Sequence, residues 1–145
     1  MSAYVARAQI EAIVPPAFLL EALDDDNDGN EDAGVYDAIV EGAQQEVDFY
    51  LGAVMAVPFT GTIPAGASHA AKIFVLEALY ARRGYSADTD PRNPWASQAK
   101  GMRAKLQRIS AGEEPLSPTQ EQVSPGVVLV SEPSRTQSRT NKVGF

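Results

Sequence analysis

Apolar residues recur at steps of three and four along most of residues 3–112, the spacing of one face of an α-helix, and the pattern stops after Gly112. The first predicted helix, over 3–13, has Val5, Ile10, Ile13 and Val14 as its apolar residues, Ser2 as its cap, and Pro15 and Pro16 as its end. Pro16 can sit at a first helical position, where no N–H is needed, and opens a second short helix to Leu23. Phe18, Leu19, Ala22 and Leu23 give that helix a narrow core-facing stripe. The third predicted helix, over 33–55, repeats Tyr36, Ile39, Val40, Ala43, Val47, Tyr50, Leu51 and Val54. Asp32 is its expected N-cap, and Pro58 with Gly61 closes the segment. Its polar positions, Glu41, Gln44, Gln45, Glu46 and Asp48, form an acidic outer face.

A turn over 60–66 leads to a fourth helix, capped by Ser68, running to Arg83 and stopped by Gly84. Positions 73–76 and 78–81 are apolar nearly all round, as in a helix at the centre of a domain or of an assembly. In the fifth, Asn93 caps, Pro94 takes the first position, and Trp95, Ala99, Met102, Leu106 and Ile109 recur at alternating steps of four and three. Its opposite face is a basic stripe of Lys100, Arg103, Lys105 and Arg108, and Gly112 ends it. Beyond that, Pro115, Pro118, Pro125 and Pro133 are scattered among polar residues. One run, Val127, Val128, Leu129 and Val130, is strand-like and too short to fold alone. The expected fold is therefore mostly α: a small helical bundle over 1–112, then an extended C-terminal arm over 113–145 containing one short β-strand. Such an arm suits binding a neighbour by strand addition; the alternative is a tail without a role.

The length, 145 residues, fits one domain, and an apolar fraction of 44% can build a core. No stretch approaches the roughly 18 apolar residues of a membrane span, and the first residues lack the pattern of a signal peptide. A cytoplasmic site of synthesis and no membrane partner are the expectation. The net charge of −7 is unevenly spread. Residues 1–50 hold twelve acidic residues against Arg7 alone, a balance of −11, whereas residues 51–112 balance at +5 and the arm at −1. Complementary halves suit head-to-tail packing of identical subunits; two solvated faces are the plainer alternative.

The stretch 24–32 is the most conspicuous candidate for chemistry. Asp24, Asp26 and Asp28, then Gly29 and Asp32, match the front of a calcium loop, in which hard carboxylate oxygens surround the cation. Its twelfth position should be a bidentate Glu but is Val35. A solvated acidic turn whose Asp32 caps the next helix accounts for the residues better, so neither a metal nor another cofactor is expected. There is no cysteine and one histidine, His69, expected to be buried or to cap a helix start. Without a thiol or a second imidazole, nucleophilic and His-based metal chemistry lack parts, and an enzyme is not expected. Arg82, Arg83 and the stripe of the fifth helix could touch nucleic acid. With a pI near 4.6, contact with an acidic helix of a neighbouring subunit is the better reading.

The order of these features resembles a known group. A helical pair ends in Leu23-Asp-Asp-Asp-Asn-Asp-Gly29; a long helix carries Ala43-Gln-Gln-Glu-Val-Asp-Phe-Tyr-Leu51 and exits through Ala56-Val-Pro-Phe59; an apolar helix and a Trp-containing helix follow. Over about residues 4–112 this looks like the small virion-assembly proteins of Mu-like phages, and is similar to the head–tail connector (adaptor) proteins of long-tailed phages. The resemblance implies a subunit of a ring, typically a dodecamer, in the virion neck beneath the portal protein. The ring would link the portal to a tail-side neck protein, a stopper or tail terminator. It would be assembled in the host cytoplasm, with genomic DNA passing through its lumen without sequence-specific binding. It carries over no catalytic residue. The other function the residues admit is a small calcium-responsive protein-binding module using the turn 24–32.

Overall fold

The middle of the fourth helix offers water no polar face, so other elements must cover it. The computed structural model describes residues 3–85 and 91–116. They form α1 (Arg7–Glu11), α2 (Pro16–Leu23), α3 (Val35–Leu51), α4 (Ala65–Arg82) and α5 (Pro94–Ser110). α4 touches each of the other helices; α3 and α5 also touch each other, while α1 and α2 lie against α4. Ala67, Ala70, Ala71, Ile73, Phe74, Val75, Leu76 and Leu79 of α4 are all buried. Facing them are Val47 and Leu51 of α3, Leu106 and Ile109 of α5, and Leu19 and Leu23 of α2. Each fully buried Leu, Ile or Phe contributes roughly 1.5–3 kcal/mol, enough together to hold five short helices in one cluster. The apolar helix is thus covered within a single chain, and the described residues form a small helical bundle.

The ends of α5 follow the sequence closely. The Asn93 side chain accepts from the N–H groups of Trp95 (3.1 Å) and Ala96 (3.2 Å). At the other end Gly112 takes φ +80, and Glu113 N–H returns to the Arg108 carbonyl at 2.9 Å, the left-handed close of a helix. Gly84 ends α4 in the same way, with Tyr85 N–H on the Tyr80 carbonyl.

The other boundaries move, each for a tertiary reason. The first helix is only five residues, because Tyr4 is pulled out of helical bonding. Its N–H donates to Gln44 Oε1 (2.9 Å), its hydroxyl to Asp48 Oδ1 (2.5 Å), and its carbonyl accepts from the Ser68 hydroxyl (2.7 Å). Ala6 is the N-cap residue and Gln9 reaches back to its N–H; Ser2 lies outside the described residues. Gln44 and Asp48, expected on an outer face, therefore face Tyr4, and Gln44 is buried. Ser68, expected to cap α4, is inside that helix, which opens one turn earlier after Pro64. α3 begins after Gly34 in the left-handed region (φ +83) and stops at Leu51, leaving Val54 exposed. Packing also continues past Gly112. Leu116 is buried against Gly66, where a Cβ would sit 2.6 Å from the Leu116 carbonyl oxygen, so only glycine lets the chain cross there.

Candidate interaction surfaces

Most of the basic residues expected at a subunit contact find carboxylates in their own chain. Arg103, on α5, lies over the Phe74 ring at 4.8 Å and grips two glutamates. Its Nε and Nη2 reach Glu46 of α3 at 2.6 and 3.2 Å, and its Nη1 and Nη2 reach Glu77 of α4 at 3.1 and 2.7 Å. Those hydrogen bonds, Glu46 first, raise the guanidinium pKa still further. Arg82 donates to the Ala22 carbonyl (2.7 Å) and pairs with Asp25; Arg83 pairs with Glu21 and covers the Phe18 ring. Arg108 (2.7 Å) and Lys105 (3.8 Å) meet Glu114, whose carboxyl is held below its usual range by the Arg108 bond. Lys100 is exposed on the same helix. The acidic and basic segments thus close on one another inside the bundle.

The acidic turn gathers Asp24, Asp26 and Asp28 but not Asp32. The first three bring carboxylate oxygens within 4.8 Å of one another. Each of the three also accepts from the loop's own backbone. Asp24 accepts from Asp28 N–H (3.1 Å) and Gly29 N–H (2.8 Å), Asp26 from Asp28 N–H (3.1 Å), and Asp28 from Asn30 N–H (2.8 Å). Desolvation pushes the Asp24 pKa up, but those N–H groups outweigh it and leave the carboxyl below its usual value. Asp32 does not cap α3. Its Oδ2 accepts from Asp25 N–H at 2.6 Å and its N–H donates to the Leu23 carbonyl at 2.8 Å, so it pins the loop shut. His69, expected to be buried or capping, is exposed on α4; desolvation, then Lys72 and Lys105, lower its pKa.

Two surfaces emerge that the periodicity did not single out. Phe49, at the C-terminal end of α3, is 80% exposed, with exposed Gly52, Ala53 and Val54 beside it and Tyr50 edge-on at 5.5 Å. It stands off the apolar stripe, one turn from Gln45 and Glu46, and that misplacement was the signal available in the sequence. The second is an open cleft of about 660 Å³ between the N-terminal segment, the end of the acidic loop and the start of α3. Val5, Ala33, Tyr36 and Val40 line it, and Glu31, Asp32, Asp37 and Glu41 give it carboxylates. Arg7 closes one side, donating to both Glu31 oxygens and to Glu11 at 2.7 Å and lying 4.8 Å over the Tyr36 ring. The strand-like run Val127, Val128, Leu129 and Val130 lies outside the described residues.

The described residues thus form a small bundle whose arginines pair within the chain, with an exposed phenylalanine and an acidic cleft. The chain matches the family described as Bacteriophage Mu, Gp36 over residues 4–128, and it belongs to that family. It is accordingly a phage protein, and membership points to a structural or assembly role in association with the virion. The match runs 16 residues past Gly112, further than the resemblance seen in the sequence, and ends inside the run 127–130. No curated protein and no solved structure matches the chain.

Proposed function

We propose that this protein is a non-enzymatic subunit of the phage neck, a head–tail connector that forms a ring, docks on the portal protein and joins it to a tail-side protein. Genomic DNA would pass through the lumen without sequence-specific binding. The observation that carries the assembly reading is Phe49: a bundle that buries its own central helix still holds one large aromatic ring in water. Aromatic side chains are enriched at the cores of subunit contacts. A ring needs two different patches that meet around a circle. Because the arginines of α4 and α5 hold carboxylates of their own chain, the end of α3 is a better candidate for one patch than the basic stripe. An acidic surface around DNA would supply no phosphate contacts and let the duplex slide.

The test mixes the full chain with portal and follows assembly by native mass spectrometry and negative-stain imaging. Rings seated on portal are expected; a chain that stays monomeric and ignores portal overturns the reading. The calcium-binding alternative lacks its bidentate twelfth ligand, because Val35 stands there and opens α3. A calorimetric calcium titration is expected to be flat, and a saturable signal would restore that alternative.

A further inference from the structure

The cleft beside α3 has a mostly apolar floor and a surplus of carboxylate. Glu31, Asp32, Asp37 and Glu41 against Arg7 leave it at −3. One stretch of this same chain has the opposite character. Residues 134–145 carry Arg135, Arg139 and Lys142 and no Asp or Glu, a balance of +3, and include the apolar Val143 and Phe145. We propose that residues 134–145 dock in the cleft of their own bundle, the three cations on its acidic rim and an apolar side chain on its floor.

The route is short. The described chain ends at Leu116, pressed onto Gly66 in the first turn of α4. Two residues further along that helix the Ser68 hydroxyl donates to the Tyr4 carbonyl at 2.7 Å, and Ala3 and Val5, on either side of Tyr4, both line the cleft. Arg135 stands 19 residues after Leu116, a length that spans up to about 65 Å. A bundle of this size is only roughly 30–35 Å across. Tethering makes the docking intramolecular, at an effective concentration in the millimolar range, so a weak contact suffices. The turn 24–28 competes poorly, because its carboxylates already accept from their own backbone. The family match stops at residue 128, so the docked segment belongs to this chain beyond the matched region. In a free subunit the cleft would be filled, and a partner that uses it must first displace the tail.

The sequence lacks cysteine, so Asn141→Cys gives a single attachment point for a nitroxide on the full chain. In the 15N-labelled protein the amide signals of Gly34, Tyr36 and Val40 should lose most of their intensity. They should recover when Arg135, Arg139 and Lys142 are all changed to Gln, and recover in part in 1 M salt, where the Debye length is about 3 Å. Unchanged cleft signals, or a loss that survives the three Gln changes, would overturn the proposal. A second sample mixes nitroxide-bearing chains of natural isotope content with 15N chains lacking the label. Signal loss in that sample means that a neighbouring copy's tail fills the cleft, which also overturns docking within one chain; no loss there supports it.

Discussion

Replacing Arg103 by methionine keeps an unbranched apolar side chain and deletes the guanidinium, so it isolates what the charge holds together. That guanidinium ties α5 to Glu46 of α3 and Glu77 of α4 while covering Phe74. The three side chains are 34%, 31% and 22% exposed, which places the pairs between surface and interior. Exposed pairs contribute about 0.2–1 kcal/mol each, and the two-oxygen grip on both glutamates favours the upper end. A cation over an aromatic face adds about 0.5–1 kcal/mol. The loss from Arg103→Met should be about 2.5 kcal/mol, or a fall in Tm of roughly 8–15 °C. Urea and thermal unfolding followed by circular dichroism measure it directly. Glu77→Gln, alone and combined with Arg103→Met, should give a coupling energy of about 1 kcal/mol. Arg103→Glu should cost more, because it gathers three carboxylates where one cation balanced two. If Arg103→Met unfolds like the parent but abolishes ring formation, the residue serves an interface and the argument from its internal partners is wrong.

Phe49→Ser should leave stability within about 0.5 kcal/mol, as for other exposed positions, and abolish assembly with portal; assembly at parental levels would remove Phe49 from the interface. Burial first, and then the hydrogen bond to Asp48, pushes the Tyr4 phenol up to about 12. Its folded pKa lies above the ordinary value of about 10, so its contribution to stability is complete below pH 10 and lost as pH rises through 12. A phenolate absorbance titration should show one late tyrosine that disappears in Tyr4→Phe, and an unchanged curve in that variant would contradict the assignment. Gly66→Ala must displace the Leu116 backbone. It should destabilise the bundle by about 1–3 kcal/mol, as other overpacking changes do, and expose the 113–116 segment to protease; Leu116→Ala should show the same exposure without the clash.

The sequence alone determined the number of helices, their order and the centrality of the fourth, because apolar spacing and helix stops are local facts. Asn93 with Pro94, Gly84 and Gly112 marked ends that the structure keeps. Membership in a phage family was likewise legible, from a run of motifs along one chain. What the sequence could not place were groups whose partners lie far away. Asp32 and Ser68 have the chemistry of caps, yet one closes a loop and the other holds Tyr4, 64 residues distant. Gln44 reads as surface by its polarity, yet it is buried with its oxygen on the Tyr4 N–H. The charged stripe of α5 read as an outward face because a helical wheel shows which residues share a side, not what stands opposite. Only the packing of α3 and α4 against α5 put Glu46 and Glu77 within reach of Arg103. The same packing left the Phe49 ring largely in water at the end of α3.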